Sequence, residues 1–301
     1  MNSARKLLIT GATGKQGGAV IDALLSHPSG HPYEIYALTR STTSRKAQAL
    51  ASKPKVSLVQ GNLDDCDAIF SQISKPWGVF SVQLPIPNAK VEERRGKALA
   101  DAAAAAGVEH FVYTSADRGG TSKSDADPTK VAHFASKYNI EKHIQQVAAL
   151  SPQKMDWTIL RPVAFMENLT PDFLGKAFAT MWRLNGVDRK LQLITTKDVG
   201  KIAADVFLNP QRYRGKAISL AGDALSPAEA NSIFKQQIGY DMPLTYDFVA
   251  QGLKWALYEQ LGSMFDWFKE VGFGADGEKL RQDYPDLQRF ETWLKETSAF
   301  R

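Results

Sequence analysis

A turn with a glycine at every third position, near the start of the chain, restricts the fold more than any other feature. The apolar run Leu7–Ile9 predicts a strand, the sequence Thr10-Gly-Ala-Thr-Gly-Lys-Gln-Gly-Gly18 follows, and a helix-forming stretch leaves it. In such a unit the first glycine permits a tight turn, the second lets the backbone approach phosphates, and the third lets the helix pack against the strand. The helix start then offers unpaired N–H groups to an anion. We interpret the turn as a cradle for a dinucleotide's diphosphate, the alternative being an ordinary strand–helix corner. The cradle residues are Gly11, Thr13, Gly14, Lys15, Gln16 and Gly17.

Strand-like and helix-like segments alternate as far as Pro162, which predicts an α/β fold with a Rossmann doubly wound parallel sheet. The predicted strands are Lys6–Thr10, Glu34–Arg40, Val56–Gly61, Gly78–Gln83, His110–Ser115 and Asp156–Pro162. Beyond Pro162 the alternation ends, and a smaller C-terminal α+β lobe is expected. We expect residues 1–165 to form the nucleotide-binding domain, whose core also receives elements near 191–222. Residues 166–301 would form a substrate or partner lobe, packed with that domain as one compact unit.

The final part of the chain is rich in aromatic residues. The pattern favours a hydrophobic core over a ligand or partner surface, which remains the alternative. The residues are Trp255, Tyr258, Phe265, Trp267, Phe268, Phe273, Phe290, Trp293 and Phe300.

The net charge of +5 is concentrated at one end of the 301-residue chain. Residues 1–55 carry eight basic and two acidic side chains, so a bound phosphorylated cofactor would offset part of the excess. No basic cluster with interleaved aromatics and no zinc-ligand spacing is present, which argues against direct nucleic-acid binding and a metal site. No apolar run reaches the roughly 18 residues of a membrane span. Cys66 is the single cysteine, which suits a reducing, cytoplasmic location, with the nucleus as a second compartment.

The end of the second predicted strand indicates which dinucleotide is bound. An NAD site would place an acidic residue there for the ribose hydroxyls, yet no acidic residue lies between Glu34 and Asp64. Arg40 ends the strand and Arg45 follows, and arginine pairs with the 2′-phosphate that distinguishes NADP(H). We therefore predict NADP(H) as the cofactor; the alternative is that Arg40 only ends a strand at the surface.

Other cofactor contacts are predicted from position alone, because ligands in this architecture lie across the carboxyl ends of the strands. The third strand ends at Asn62 and Leu63, the fourth at Val82 and Gln83, and the fifth at Thr114 and Ser115.

A histidine and a lysine four residues apart, His133 and Lys137, follow on a predicted helix and share one of its faces. Here the chain resembles the short-chain dehydrogenase/reductase superfamily, whose helix carries a tyrosine and a lysine at this spacing. The resemblance implies that Lys137 bonds the nicotinamide ribose and that Ser115 lies near the nicotinamide. His133 replaces the tyrosine general acid. It is either a proton donor or a structural histidine near the site.

Several motifs together resemble, more narrowly, the NmrA-like group of atypical members of that superfamily. The motifs are Thr10-Gly-Ala-Thr-Gly-Lys-Gln-Gly-Gly-Ala-Val20, Arg40, Gly61-Asn-Leu-Asp-Asp65, His133-Phe-x-x-Lys137, Arg161-Pro-x-x-Phe-Met-Glu-Asn168 and Thr196-Lys-Asp-Val-Gly200. The resemblance implies an NADP(H)-binding Rossmann domain with a smaller C-terminal lobe. It also implies that Pro162, Val163 and Phe165 lie near the nicotinamide, with Phe165, Met166 and Asn168 on the substrate side. Arg161 either serves that region or forms a structural ion pair.

The group includes both regulators that sense NADPH and reductases, so the resemblance leaves two functions open. The missing tyrosine and the aromatic tail narrowly favour a redox sensor that acts through a protein partner. The retained Lys137 and an apolar cleft favour an NADPH-dependent reductase of a quinone, an enone, an imine or a similar small apolar molecule.

Overall fold

The computed structural model describes residues 4–28, 30–151 and 153–300, so the predicted outer bounds at residues 1 and 301 lie outside them. Ten strands are present in these residues. They are β1 (Arg5–Ile9), β2 (Tyr33–Thr39), β3 (Val56–Gln60), β4 (Pro76–Ser81), β5 (His110–Thr114), β6 (Asp156–Pro162), β7 (Ala164–Phe165), β8 (Leu191–Ile194), β9 (Lys216–Leu220) and β10 (Asp223–Leu225).

Fourteen α-helices lie in the same residues, with a 3-10 turn at Met166–Asn168 and a π-helical turn at Tyr258–Gly262. The helices are α1 (Lys15–Leu25), α2 (Arg45–Ala51), α3 (Cys66–Phe70), α4 (Ala89–Ala105), α5 (Thr121–Ala126), α6 (Ala132–Leu150), α7 (Phe173–Leu184), α8 (Thr196–Leu208), α9 (Pro210–Tyr213), α10 (Pro227–Ile238), α11 (Asp247–Ala256), α12 (Ser263–Glu270), α13 (Gly277–Asp283) and α14 (Phe290–Glu296). None of the described helices is both long and apolar enough to cross a membrane.

The main sheet has seven strands in the order β3-β2-β1-β4-β5-β6-β9. Strands β1 to β6 pair in parallel, in the order that defines the doubly wound nucleotide-binding fold. Strands β4 and β5 are buried along their whole length, as expected for a parallel sheet covered on both faces. The predicted α/β Rossmann fold is confirmed.

The chain folds into two compact units. The first unit comprises the chain up to Ser115, Ser136–Leu160 and Val199–Ile218. Its core joins apolar side chains of β1, β4 and β5, such as Leu8, Val79 and Phe111, to those of α4 and α6. Helices α4 and α6 approach closely at Gly96, where a Cβ would lie only 2.5 Å from the Ile140 side chain.

The second unit comprises Ala116–Ala135, Arg161–Asp198 and the chain from Ser219 onward. This partition is interleaved along the sequence. The unit contains a three-stranded sheet in which β8 pairs in parallel with β7 and antiparallel with β10.

The C-terminal aromatics take two different roles in the second unit. Most of them are core residues; the buried ones are Phe265, Trp267, Phe268, Phe290, Trp293 and Phe300. Trp255 and Tyr258 are exposed instead, Trp255 by 83%. The core position predicted for these aromatics is therefore correct from Phe265 onward. It is wrong for Trp255 on α11 and for Tyr258 in the π-helical turn, whose rings are exposed to solvent.

Candidate functional site

The turn between β1 and α1 has the backbone geometry that its glycines predict. Gly11 has a φ of +58°, a left-handed value that favours glycine. Its carbonyl accepts a hydrogen bond from the Gly14 N–H at 2.8 Å. A Cβ on Gly17 would lie 2.4 Å from the Gly11 carbonyl oxygen, so only glycine lets α1 begin this close to the turn.

The amino terminus of α1 differs from those of the neighbouring helices in the first unit. Helices α2, α3 and α4 are capped by the side chains of Ser44, Asp65 and Asn88. The N-cap of α1 is Gly14, which supplies no side-chain hydrogen bond, and the first turn contains no acidic residue. The positive end of the α1 dipole is therefore not offset by a side chain of its own, which suits a phosphate ligand.

Two threonines tie this turn to the neighbouring strands. The Thr10 hydroxyl accepts a hydrogen bond from the Val82 N–H at 2.8 Å and lies 3.2 Å from the Val82 carbonyl oxygen. The Thr114 hydroxyl donates to the Gln16 side-chain oxygen at 2.8 Å. The predicted residues Gln16, Val82 and Thr114 thus lie at the carboxyl ends of β1, β4 and β5, on the same side of the sheet.

At the end of β4, the Gln83 side chain offers a buried acceptor to a ligand. Its amide nitrogen donates to the Ser81 hydroxyl at 2.9 Å. Its Oε1 is buried and has no hydrogen-bond partner within the described residues. An unpaired buried acceptor is unfavourable, and a donor on a ligand would satisfy it.

The end of β2 is electropositive. Arg40 and Arg45 are exposed, and neither forms a salt bridge with any residue in the described part of the chain. The Gly61 N–H donates to the Thr39 carbonyl at 3.0 Å. This hydrogen bond places Arg40 beside the start of the loop that carries Asn62.

That loop is fixed by an ion-pair cluster. The Asn62 side chain accepts a hydrogen bond from the Asp64 N–H at 2.6 Å. Arg95 binds both carboxylate oxygens of Asp64, and Arg94 binds one of them. These hydrogen bonds, from Arg95 first and then Arg94, hold the pKa of the Asp64 carboxyl well below its usual range. The loop after β3, which includes Leu63, is therefore attached to α4.

Two polar residues of α6 in the first unit are paired with one buried carboxylate of α4, and a buried carboxylate of α6 is paired with the end of β5. The Lys137 ammonium donates to Glu92 Oε1 at 2.8 Å, and the Ser136 hydroxyl donates to Glu92 Oε2. The Ser115 hydroxyl donates to Glu141. Both glutamates are fully buried. Sequence reasoning selected Ser115 and Lys137 but missed both glutamates, because no local pattern marks a carboxylate that is buried by partners 26 to 45 positions away.

The predicted His133 and the predicted residues of the segment 162–168 are in the second unit. The half-buried His133 ring contacts Phe134, with ring centroids 4.7 Å apart. Pro162, Val163 and Met166 are buried, Met166 with no exposed surface, whereas Phe165 is half-buried and Asn168 exposed. Their nicotinamide and substrate roles stay predictions, and for Met166 such a role would require a change in the packing of the core.

The sheet order and the glycine turn define the class of α/β proteins that bind nucleotides at the carboxyl ends of their strands. Within this class the chain belongs to the NmrA-like family, whose model matches residues 3–294. The resemblance seen in the sequence motifs is thereby confirmed.

Three known proteins show the range of functions among the relatives. The chain is 32% identical over 241 residues to the NmrA-like family domain-containing oxidoreductase himF of Aspergillus japonicus, covering 74% of this chain and 70% of himF. The fold is similar to that of NmrA, a negative transcriptional regulator solved in complex with NADP (19% identity, TM-score 0.72, 99% and 96% of the two chains). It is also similar to that of the Escherichia coli NADPH-dependent quinone oxidoreductase QOR2 complexed with NADPH (24%, TM-score 0.73, 96% and 98%).

Proposed function

We propose that this chain binds NADP(H) along the carboxyl ends of β1 to β5. The observation that carries the proposal is that the first unit contains two candidate anion sites. One is the start of α1, which has no side-chain cap and no acidic residue in its first turn. The other is the exposed pair of arginines after β2. A diphosphate suits the first and a 2′-phosphate suits the second. NADP and NADPH in the solved structures of NmrA and QOR2 support this assignment.

The residues present fit the cofactor along its length. Gly11 to Gly17 would hold the diphosphate, with Thr13 and Lys15 beside it, and Arg40 and Arg45 would hold the 2′-phosphate. Asn62 and Leu63 would border the adenine, and Lys137 would bind the hydroxyls of the nicotinamide ribose. Gln83 Oε1, a buried acceptor without a partner in the described residues, would accept from a donor group at the nicotinamide end.

We further propose that the chain is an NADPH-dependent reductase of small apolar acceptors such as quinones, enones or imines. NADPH, when bound, supplies a hydride to an electron-poor carbon of the acceptor. His133 or water would donate the proton that completes the two-electron reduction. The oxidoreductase names of himF and QOR2 support this function. The lysine held on α6 by a buried carboxylate supports it as well.

Anaerobic single-turnover mixing of the enzyme with NADPH and a panel of quinones and enones tests the proposal. We expect NADPH absorbance to decay rapidly with at least one acceptor, and the decay to be lost in Lys137→Ala. Lys142→Ala is the matched control, because Lys142 lies on the same helix with its ammonium 5.1 Å from the Tyr138 ring centroid. No oxidation with any acceptor would contradict the reductase assignment, and equal rates in the two variants would contradict the role of Lys137.

A second candidate is a regulator that reports the NADPH/NADP+ ratio to a protein partner. Its support is the exposed aromatic surface of α11 and the residue before it: Tyr246 and Phe248 are each 74% exposed and stack at 5.8 Å, and Trp255 is 83% exposed. Such rings are typical of contact surfaces. A sensor requires different affinities for its two states. Hydrogen exchange in α11 should then differ between the NADPH-bound and the NADP+-bound protein, and identical exchange would exclude this mechanism.

A further inference from the structure

Glu92 is a carboxylate with no solvent exposure, and it faces helix α6. A buried carboxylate is strongly disfavoured unless it is paired and hydrogen-bonded. Glu92 satisfies this condition on both oxygens, since Oε1 accepts from the Lys137 ammonium and Oε2 accepts from the Ser136 hydroxyl. The predicted ligand-binding lysine is therefore held by a specific charged partner.

The packing of α4 on α6 fixes where this carboxylate lies. Gly96 follows Glu92 by one helical turn, and it is the residue that lets α4 approach Ile140 of α6. Ser136 holds one oxygen of Glu92, which leaves the other directed at Lys137. A lysine is a flexible point charge on four methylenes, so fixing its ammonium restricts the rotamers it would otherwise sample.

Lys137 can donate hydrogen bonds to a ligand while it is paired with Glu92. An ammonium has three donors, and Glu92 Oε1 accepts one of them. The side chain of Lys137 is 13% exposed, whereas that of Glu92 is 0% exposed. A ligand can therefore reach the lysine and not the carboxylate.

We propose that Glu92 is a positioning residue that sets the Lys137 ammonium for the hydroxyls of the nicotinamide ribose. The inference rests on the proposed binding of NADP(H). Glu92 acts through Lys137 and does not itself touch the cofactor. Its contribution is to pre-organise one donor group before binding, so that less entropy is lost when the ribose is bound.

The test compares NADPH with 2′,5′-ADP, which retains the 2′-phosphate and the adenosine but lacks the nicotinamide ribose. In Glu92→Gln we expect NADPH affinity to fall by about tenfold, because the lysine loses the negatively charged partner that fixes it, while 2′,5′-ADP affinity stays within about twofold. A purely electrostatic effect would have the opposite sign, because removing a negative charge favours a phosphorylated ligand.

Glu93→Gln is the matched control. Glu93 is the next residue on α4 and also bridges to α6, accepting from the Asn139 amide at 2.9 Å and from Lys97. Both probes should bind this variant as they bind the wild type. If Glu92→Gln fails to fold, Ser136→Ala removes one hydrogen bond to Glu92 while keeping the charge. It should show the same selective loss of NADPH affinity, to a smaller extent.

A thermodynamic cycle distinguishes positioning from a general effect on the fold. In a Lys137→Ala background, Glu92→Gln should cause no further loss of NADPH affinity, because the group it positions is absent. Equal losses for both probes, tighter NADPH binding or additive losses in the double variant would overturn the inference alone. If the wild type binds neither probe, the proposed NADP(H) site fails and the inference falls with it.

Discussion

Replacing Gly17 by alanine tests the glycine turn where it is most tightly packed. The new Cβ would lie 2.4 Å from the Gly11 carbonyl oxygen and 2.6 Å from that of Thr10. Both oxygens are backbone atoms, so no change of side-chain rotamer can relieve the clash. Ordinary contact begins near 3.4 Å, so α1 and the turn must separate by about 1 Å, a change in shape typical of overpacking.

The expected effect is larger on binding than on stability. Overpacking of this kind costs about 1–3 kcal/mol, and the helix propensity of alanine offsets about 1 kcal/mol of it. Moving the N–H groups of α1 away from a diphosphate weakens charge-assisted hydrogen bonds worth about 1.5–3 kcal/mol each. We therefore expect NADPH affinity to fall by about 10- to 100-fold.

Gly18→Ala is the matched control, because its Cβ would lie 3.4 Å from the Ala12 carbonyl oxygen, an ordinary contact distance. This variant should bind NADPH normally and gain about 0.5–1 kcal/mol of stability from helix propensity. Thermal unfolding followed by circular dichroism, together with titration of NADPH fluorescence, measures both quantities. Equal NADPH affinities for the two variants would refute the proposed packing of α1 on the turn.

Four further substitutions test other parts of the structure. Arg40→Ala should weaken NADPH binding by about tenfold and leave NADH binding unchanged, because only NADPH carries the 2′-phosphate; calorimetric titration measures both. Burial, and then the charge of Arg214, lowers the pKa of His110 to about 4. Between about pH 6.5 and 4 the unfolded chain therefore binds a proton that the folded chain does not, and this residue lowers the free energy of unfolding as pH falls, by up to about 1.4 kcal/mol per pH unit. His110→Gln should remove that part of the pH dependence in urea unfolding. Phe265→Ala, in the core of the second unit, should cost about 3–5 kcal/mol, whereas Trp255→Ala, 83% exposed, should change stability by less than about 0.5 kcal/mol in the same assay.

Each of these expectations has a result that contradicts it. Equal losses of NADPH and NADH affinity would show that Arg40 does not bind the 2′-phosphate. An unchanged pH dependence in His110→Gln would mean that the buried imidazole takes up its proton as readily in the folded chain as in the unfolded one. A large loss of stability in Trp255→Ala would show that the exposed ring is covered in solution.

The main sheet was predictable because its strands are short apolar runs that end at glycine, proline or polar residues. The predicted strand Asp156–Pro162 has those same bounds in the structure, and the strands before it begin or end within two residues of their predicted positions. Burial on both faces produces continuous apolar runs that are visible in one sequence. Because the glycine turn follows the first of these strands and Arg40 ends the second, both could be assigned from the sequence alone.

The second unit was less predictable because its elements lack a regular alternation. Strand β7 has two residues and β10 has three, too few for a periodic pattern. The two alternatives for Arg161 illustrate the same limit. Its guanidinium is almost fully buried and donates to the Asp125 carboxylate at 2.7 Å, a structural ion pair between residues 36 positions apart. Such partners become neighbours only through the fold.

The most direct test of the NADP(H) assignment is a calorimetric titration of the wild-type protein with NADPH and, separately, with NADH. The exposed Arg40 and Arg45 predict that NADPH binds at least about tenfold more tightly, which corresponds to about 1.4 kcal/mol. Raising the salt concentration should reduce this difference, because exposed charges are screened. Equal affinities for the two nucleotides, or no binding of either, would contradict the account.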